Sequence, residues 1–206
     1  MHTEVCIRLP DWFKNFMATS PEVFPNVEDR MRFVISLARQ NVLCATGGPF
    51  ASAVFDRSGR LIAPGVNMVV TSNCSVLHAE IVALVLAQKT LDRYDLSNEG
   101  RLDYELVAAT EPCAMCFGAV PWSGVRRLVC GARDEDARAI GFDEGPKLDD
   151  WVAALNNRGI TVVRDVLREE AVAVLREYVA AGGPIYNSGR PADHHGNERM
   201  LEGWGK

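Results

Sequence analysis

Two short segments restrict this chain more than anything else in it. One is His78-Ala79-Glu80. The other, about thirty residues later, is Pro112-Cys113-Ala114-Met115-Cys116. The first lies in a strongly apolar stretch, Val76 to Leu91, that predicts a buried helix after a polar loop. The second follows the apolar run Leu106–Thr110, a predicted strand, and opens a predicted helix to about Trp122. Cysteines three apart on a helix share one face. At a helix start the free N–H groups and the dipole favour thiolate, the metal-binding form of cysteine. Pro112 suits such a start, where no N–H is required. A histidine from a second helix start makes a three-ligand set of His78, Cys113 and Cys116. Three protein ligands leave one tetrahedral position of zinc for water, the arrangement of catalytic rather than structural sites.

Glu80 adds to this. Residues two apart on a regular helix lie roughly 200° apart around its axis. His78 and Glu80 can therefore converge only across the helix mouth. A carboxylate there that is not a ligand can take a proton from an activated water and hand it to a substrate nitrogen. The bland alternative is a structural zinc site, or two reduced thiols with an unrelated histidine. The missing fourth ligand weighs against the first.

The rest of the chain reads as an alternation. Residues 1–26 contain Pro10, Pro21 and Pro25 and are expected to form an irregular arm, anchored by Trp12, Phe13 and Phe16. Val27 to about Cys44 has helical spacing, with Asn26 and Asp29 placed as a capping box. Gly47-Gly48-Pro49 breaks it. Phe50–Phe55 and Arg60–Met68 read as a hairpin. Further strands are expected at Arg127–Ala132 and Ile160–Arg164, and helices at Trp151–Asn157 and Arg168–Ala181. Residues 134–150 carry seven acids against two bases, Arg138 and Lys147, and read as an acidic loop or broken helix. Residues 188–206 read as a mobile tail after one domain over 27–187. The alternation predicts an α/β fold, a mixed sheet covered by helices on both faces.

Composition sets limits. The chain has 206 residues and a net charge of −5, with 48% hydrophobic and 24% charged residues. That is the balance of a globular protein able to bury a core without crosslinks. No basic face is evident, so nucleic acid is not an expected partner. The longest uncharged apolar run, Ile81–Ala87, is too short to span a bilayer. With no secretory signal expected in the N-terminal residues, the expectation is a cytoplasmic protein without a membrane partner.

Together these residues resemble the cytidine-deaminase-like superfamily, and within it the bacterial guanine deaminases. The resemblance covers most of 27–187. It rests on Gly47-Gly48-Pro49-Phe50, Asn67, His78-Ala79-Glu80, Glu111-Pro112-Cys113-Ala114-Met115-Cys116, Trp122 and Ile140-Gly141-Phe142-Asp143-Glu144. It implies a three-layer α/β/α sandwich with a five-stranded sheet, a homodimer, a Zn2+ cofactor and hydrolysis of guanine to xanthine and ammonia. Glu80 would be the first proton carrier and Glu144 the second, toward the leaving amine. Read without the resemblance, Glu144 is first a solvated acid in an acidic stretch. Phe50 either stacks on a purine or belongs to the core, and Asn67 either reads purine nitrogens or is a satisfied strand end. Ala79, Trp122, Phe142 and Tyr186 complete the expected substrate wall. Other readings stay open: another amino-heterocycle (cytosine, a nucleoside, an s-triazine, a pterin or tRNA adenosine), or an inert zinc module that binds a protein. Cys6, Cys44, Cys74 and Cys130 read as incidental thiols, and His194 and His195 as idle tail residues.

Overall fold

The computed structural model describes residues 3–187. The expected tail, with His194 and His195, lies outside the described residues. In chain order the elements are helix α1 Trp12–Ala18, helix α2 Val27–Leu43, strands β1 Ala51–Asp56 and β2 Leu61–Val66, helix α3 Ala79–Thr90, strand β3 Tyr104–Thr110, helix α4 Ala114–Ser123, strand β4 Arg127–Ala132, helices α5 Asp134–Ala139 and α6 Trp151–Asn156, strand β5 Thr161–Val163 and helix α7 Arg168–Ala180.

The five strands form one mixed sheet in the order β2-β1-β3-β4-β5. β1 runs antiparallel to both neighbours, while β3, β4 and β5 are parallel. The central strands are buried on both faces, so they read as continuous apolar runs rather than alternations. Leu106 and Val107 on β3 are both fully buried, as are Leu128 and Val129 on β4. They point into different cores. Val107 and Val129 pack with Met31, Val34 and Leu175 from α2 and α7. Leu106 and Leu128 pack with Leu84, Val120 and Leu155 from α3, α4 and α6. The molecule is thus a three-layer α/β/α sandwich.

Two local expectations are corrected. The N-terminal arm is not irregular throughout, because α1 forms between its prolines: Pro10 precedes the helix and Pro21 follows it. Phe13 of α1 joins the core, and Trp12 Nε1 donates to Thr46 Oγ1 at 2.8 Å. The capping box at α2 does not form, since Asn26 Nδ2 bonds the Asp29 carboxylate (3.1 Å) instead of the two caps bonding backbone amides. The acidic stretch resolves into the short helix α5, then a loop over 140–150 that reaches α6.

Gly65 is required by space rather than by dihedral angle. A Cβ on Gly65 of β2 would lie 2.4 Å from the Ala79 carbonyl oxygen and 2.5 Å from the Ala83 amide nitrogen. The first turn of α3 rests directly on β2 there, and this close approach sets where His78 begins.

Candidate active site

α3 and α4 point their N-termini at one place, beside the carboxyl end of β3. His78 is the residue that starts α3 and Cys113 the residue that starts α4; both are extended (φ −68°, ψ 155° and φ −63°, ψ 174°). Extended backbone at a helix start turns the side chain across the helix mouth instead of along its flank. His78 Nδ1, Cys113 Sγ and Cys116 Sγ consequently lie within 4.8 Å of one another. The His78–Cys113 separation is 3.4 Å. Zinc bonds of about 2.3 Å to sulfur and 2.0 Å to nitrogen at a tetrahedral angle place those two donors about 3.5 Å apart. One imidazole and two thiols at this spacing fit zinc.

The titration of this group reflects the same closeness. The Cys113 thiol is pulled down to about 4: the hydrogen bond from Cys116 dominates over burial, and His78 adds to it. Cys116, which gives that hydrogen bond and lies deeper, is pushed up. Burial opposes the His78 cation, but the Cys113 hydrogen bond and the nearby Glu80, Cys113 and Glu144 charges outweigh it, and the pKa rises.

A cavity of about 400 Å³ opens beside the three donors, within the range of small-molecule sites. Glu80 and Glu144 both line it, and both are buried (8% and 7% exposed). Burial pushes Glu80 up to about 7, with the Cys113 thiolate adding and His78 opposing. Burial pushes Glu144 up to about 8; Cys113, Asp134 and Glu80 add to this, while Lys147 opposes it. Glu144 is also part of the scaffold. Its carbonyl accepts the Ala114 N–H at 2.8 Å, capping one of the amides that the first turn of α4 leaves free.

The wall opposite is aromatic. Phe50 meets Phe142 edge-on at 4.9 Å, and Tyr186 meets Phe142 at 5.1 Å. The Tyr186 hydroxyl is buried without a hydrogen-bond partner. Asn67, directly after β2, stands in the cavity wall. Its Oδ1 accepts the Gly48 and Val69 amides (3.4 and 3.3 Å), so Nδ2 is the end left to meet a ligand.

Two expected wall residues are elsewhere. Trp122 is 81% exposed and does not line the cavity. It sits near the far end of α4, two turns beyond the cysteines, on the outer side. Ala79 is buried in the first turn of α3, where its carbonyl presses on Gly65 of β2, and its side chain does not reach the cavity. Two residues went unnoticed in the sequence. Asn41 of α2, fully buried, donates to both the Gly48 and Asn67 carbonyls (3.0 Å each) and so fixes the strand ends that present Phe50 and Asn67. Asn187 donates to the Gly141 carbonyl and accepts from the Asp143 amide, tying down the loop that bears Glu144. An amide side chain carries no spacing signal, so neither was visible without the fold.

A sandwich with two helix N-termini converging on His-Cys-Cys, and a free acid beside them, defines a zinc-dependent deaminase architecture. The family model for the cytidine and deoxycytidylate deaminase zinc-binding region matches residues 25–132, and the chain belongs to that family. Among relatives, guanine deaminase of Bacillus subtilis (strain 168) is 38% identical over 119 residues, covering 58% of this chain and 72% of that one. The tRNA-specific adenosine deaminase of Haemophilus influenzae is 33% identical over 144 residues, 69% of this chain and 77% of that one. The solved guanine deaminase from Nitrosomonas europaea is 52% identical with a TM-score of 0.82, over 87% of this chain and 98% of that structure.

Proposed function

We propose that this chain is a guanine deaminase, converting guanine and water to xanthine and ammonia. One observation carries the reading: two buried carboxyl groups, Glu80 and Glu144, line the same cavity as the His-Cys-Cys donor set. A single acid suffices for attack by water on an amidine carbon. A second suits protonation of an amine that must leave. The likeness to guanine deaminases supports guanine as the base.

His78, Cys113 and Cys116 would hold Zn2+, which supplies the positive charge that makes water a competent nucleophile near neutral pH. Glu80 takes one proton from the attacking water and passes it to N3 as the new C–O bond forms at C2. Burial raises the Glu144 pKa toward neutral pH, which favours the protonated acid that can give a proton to the departing amine. The C2–N bond breaks, C2=O forms, and the hydroxyl proton released resets the carboxyl pair. One water is consumed and one ammonia leaves. Phe50, Phe142 and Tyr186 supply an apolar slot for a planar base, and Asn67 Nδ2 a donor to a ring nitrogen or the O6 carbonyl. An ammonia-release assay across guanine, cytosine, adenine, their nucleosides and s-triazines tests the reading. Guanine should exceed cytosine by a wide margin. Equal turnover of cytosine would overturn it.

The tRNA reading lacks its usual support. Arg168 faces Asp136 and Glu135, Arg39 faces Glu177, and Arg133 faces Asp165, so these arginines are spent on acids rather than gathered into a phosphate track. An inert zinc module would not need buried acids beside its metal.

The working form proposed is a homodimer. α4 is apolar on every side, and helices of that kind are normally covered all round. Yet Met115 (38%) and Trp122 (81%) are exposed, and seven residues apart they share one face. A second copy is the proposed cover. Light scattering should give twice the chain mass, and Trp122→Asp should give a monomer. A cytoplasmic location is proposed because all six cysteines are free thiols.

A further inference from the structure

Behind the cavity lies a charged cluster that the proposed chemistry does not use. Its centre is Lys147, whose side chain is only 6% exposed. Lysine is rarely buried so fully unless it is paired. The ammonium sits 3.2 Å from Asp134 Oδ1 and 3.8 Å from Glu111 Oε2, with the Trp151 ring 4.8 Å away. It also donates to the carbonyl of Pro112 at 3.1 Å.

Charge balance alone does not account for Lys147. Glu111 already holds Arg164 at 2.6 Å, and Asp134 already holds Arg138 at 2.8 Å. What no other residue of the cluster does is join two particular pieces of chain. Lys147 stands three residues after Glu144. Pro112, its acceptor, immediately precedes Cys113. The other ties on this stretch hold it elsewhere: the Ala114 N–H to the Glu144 carbonyl, Arg138 to the Gly145 carbonyl, and Asn187 to Gly141 and the Asp143 amide at its start.

We propose that Lys147 is a positioning residue, which locks the Glu144 carboxyl in place by tying its loop to the turn that carries Cys113. The peptide carbonyl of Pro112 is a fixed post, because it lies between the last residues of β3 and the start of α4. The ammonium reaches that post from the loop side, and Trp151 closes over it. A loop held there at both ends presents Glu144 at one distance from the metal donors. A loop held by Asn187 at its start, its backbone bond and Arg138, but free after Gly145, presents it at several. The turnover part of this proposal rests on the guanine deaminase reading; the structural part does not.

The test compares zinc-loaded wild type with Lys147→Met, which keeps length without charge, and Lys147→Arg, which keeps a donor. Amide hydrogen exchange over residues 141–147 should speed up at least tenfold in Lys147→Met, with the β-sheet unchanged. Its kcat for guanine should fall about ten- to a hundredfold, as small misplacements of a catalytic group do. KM should stay within about threefold, with zinc content and Tm close to wild type. Lys147→Arg should recover most of the kcat. Wild-type exchange in the loop overturns the proposal, and so does faster exchange with unchanged kcat in an active enzyme. A Lys147→Met protein that loses zinc or fails to fold overturns it too, since Lys147 would then support the ligand turn or the core. If wild type does not turn over guanine, the function reading has failed, and the exchange measurement alone decides the role of Lys147.

Discussion

Glu80 is separated from the candidate metal donor His78 by one alanine, and that spacing gives it a different proposed task. In the first turn of α3 it faces the cavity, buried, with its pKa near 7. Glu80→Gln keeps the shape and removes the proton transfer. Its kcat on guanine should fall by at least ~10²–10⁴, the range for general acid–base catalysis, with zinc retained. Near-normal turnover in steady-state assays would remove Glu80 from the mechanism. Glu144 permits a test without catalysis. Its folded pKa, about 8, lies above the ordinary glutamate value of 4.5. The fold therefore favours the protonated acid, and the stability owed to this group is present below about 4.5 and lost as pH rises to about 8. In metal-stripped protein, Glu144→Gln should match wild type near pH 4.5. It should then gain on it by up to about 1.4 kcal/mol per pH unit, levelling off above pH 8. Urea melts at several pH values read this directly, and a difference independent of pH would contradict the burial of Glu144.

At the scale of elements, the site depends on where two helices begin. α3 begins where Gly65 lets it touch β2. Gly65→Ala puts a methyl 2.4 Å from the Ala79 carbonyl, and both contacts are backbone, so the helix itself must move. The expected cost is ~1–3 kcal/mol of stability, as for overpacking elsewhere. Zinc affinity should weaken as well, because His78 moves with α3. Competition with a chromogenic chelator checks the second effect; unchanged affinity would show that α3 adjusts behind His78. The motif residues were legible because a metal site imposes local rules of spacing and residue type. The start of α3 at Ala79, three residues later than the apolar run at Val76 suggested, was not legible. It follows from contact with a strand that hydropathy does not reveal. α1 was missed for a related reason. Prolines that bound a short helix look the same in sequence as prolines that prevent one.

At the scale of the molecule, metal and fold should be coupled. The donors come from two separate helices, α3 and α4, packed on the same face of the sheet, and an ion held by both would crosslink them. Removing zinc should lower Tm and restoring it should raise it, by an amount that grows with free zinc; a Tm indifferent to zinc would separate the donors from the fold. Cys113→Ser should lose most of the metal, by elemental analysis, because it removes the thiolate nearest His78. The sequence alone determined the layered α/β class, the His-Cys-Cys set and the acid beside it. These depend on hydrophobic period and on short-range spacing, which survive in one dimension. Only the tertiary structure decided that Trp122 faces outward and Ala79 inward, that Asn41 holds the ends of two strands, and that Lys147 reaches Pro112. Those facts depend on which faces meet after folding, and residues 26 or 35 positions apart carry no mark of meeting.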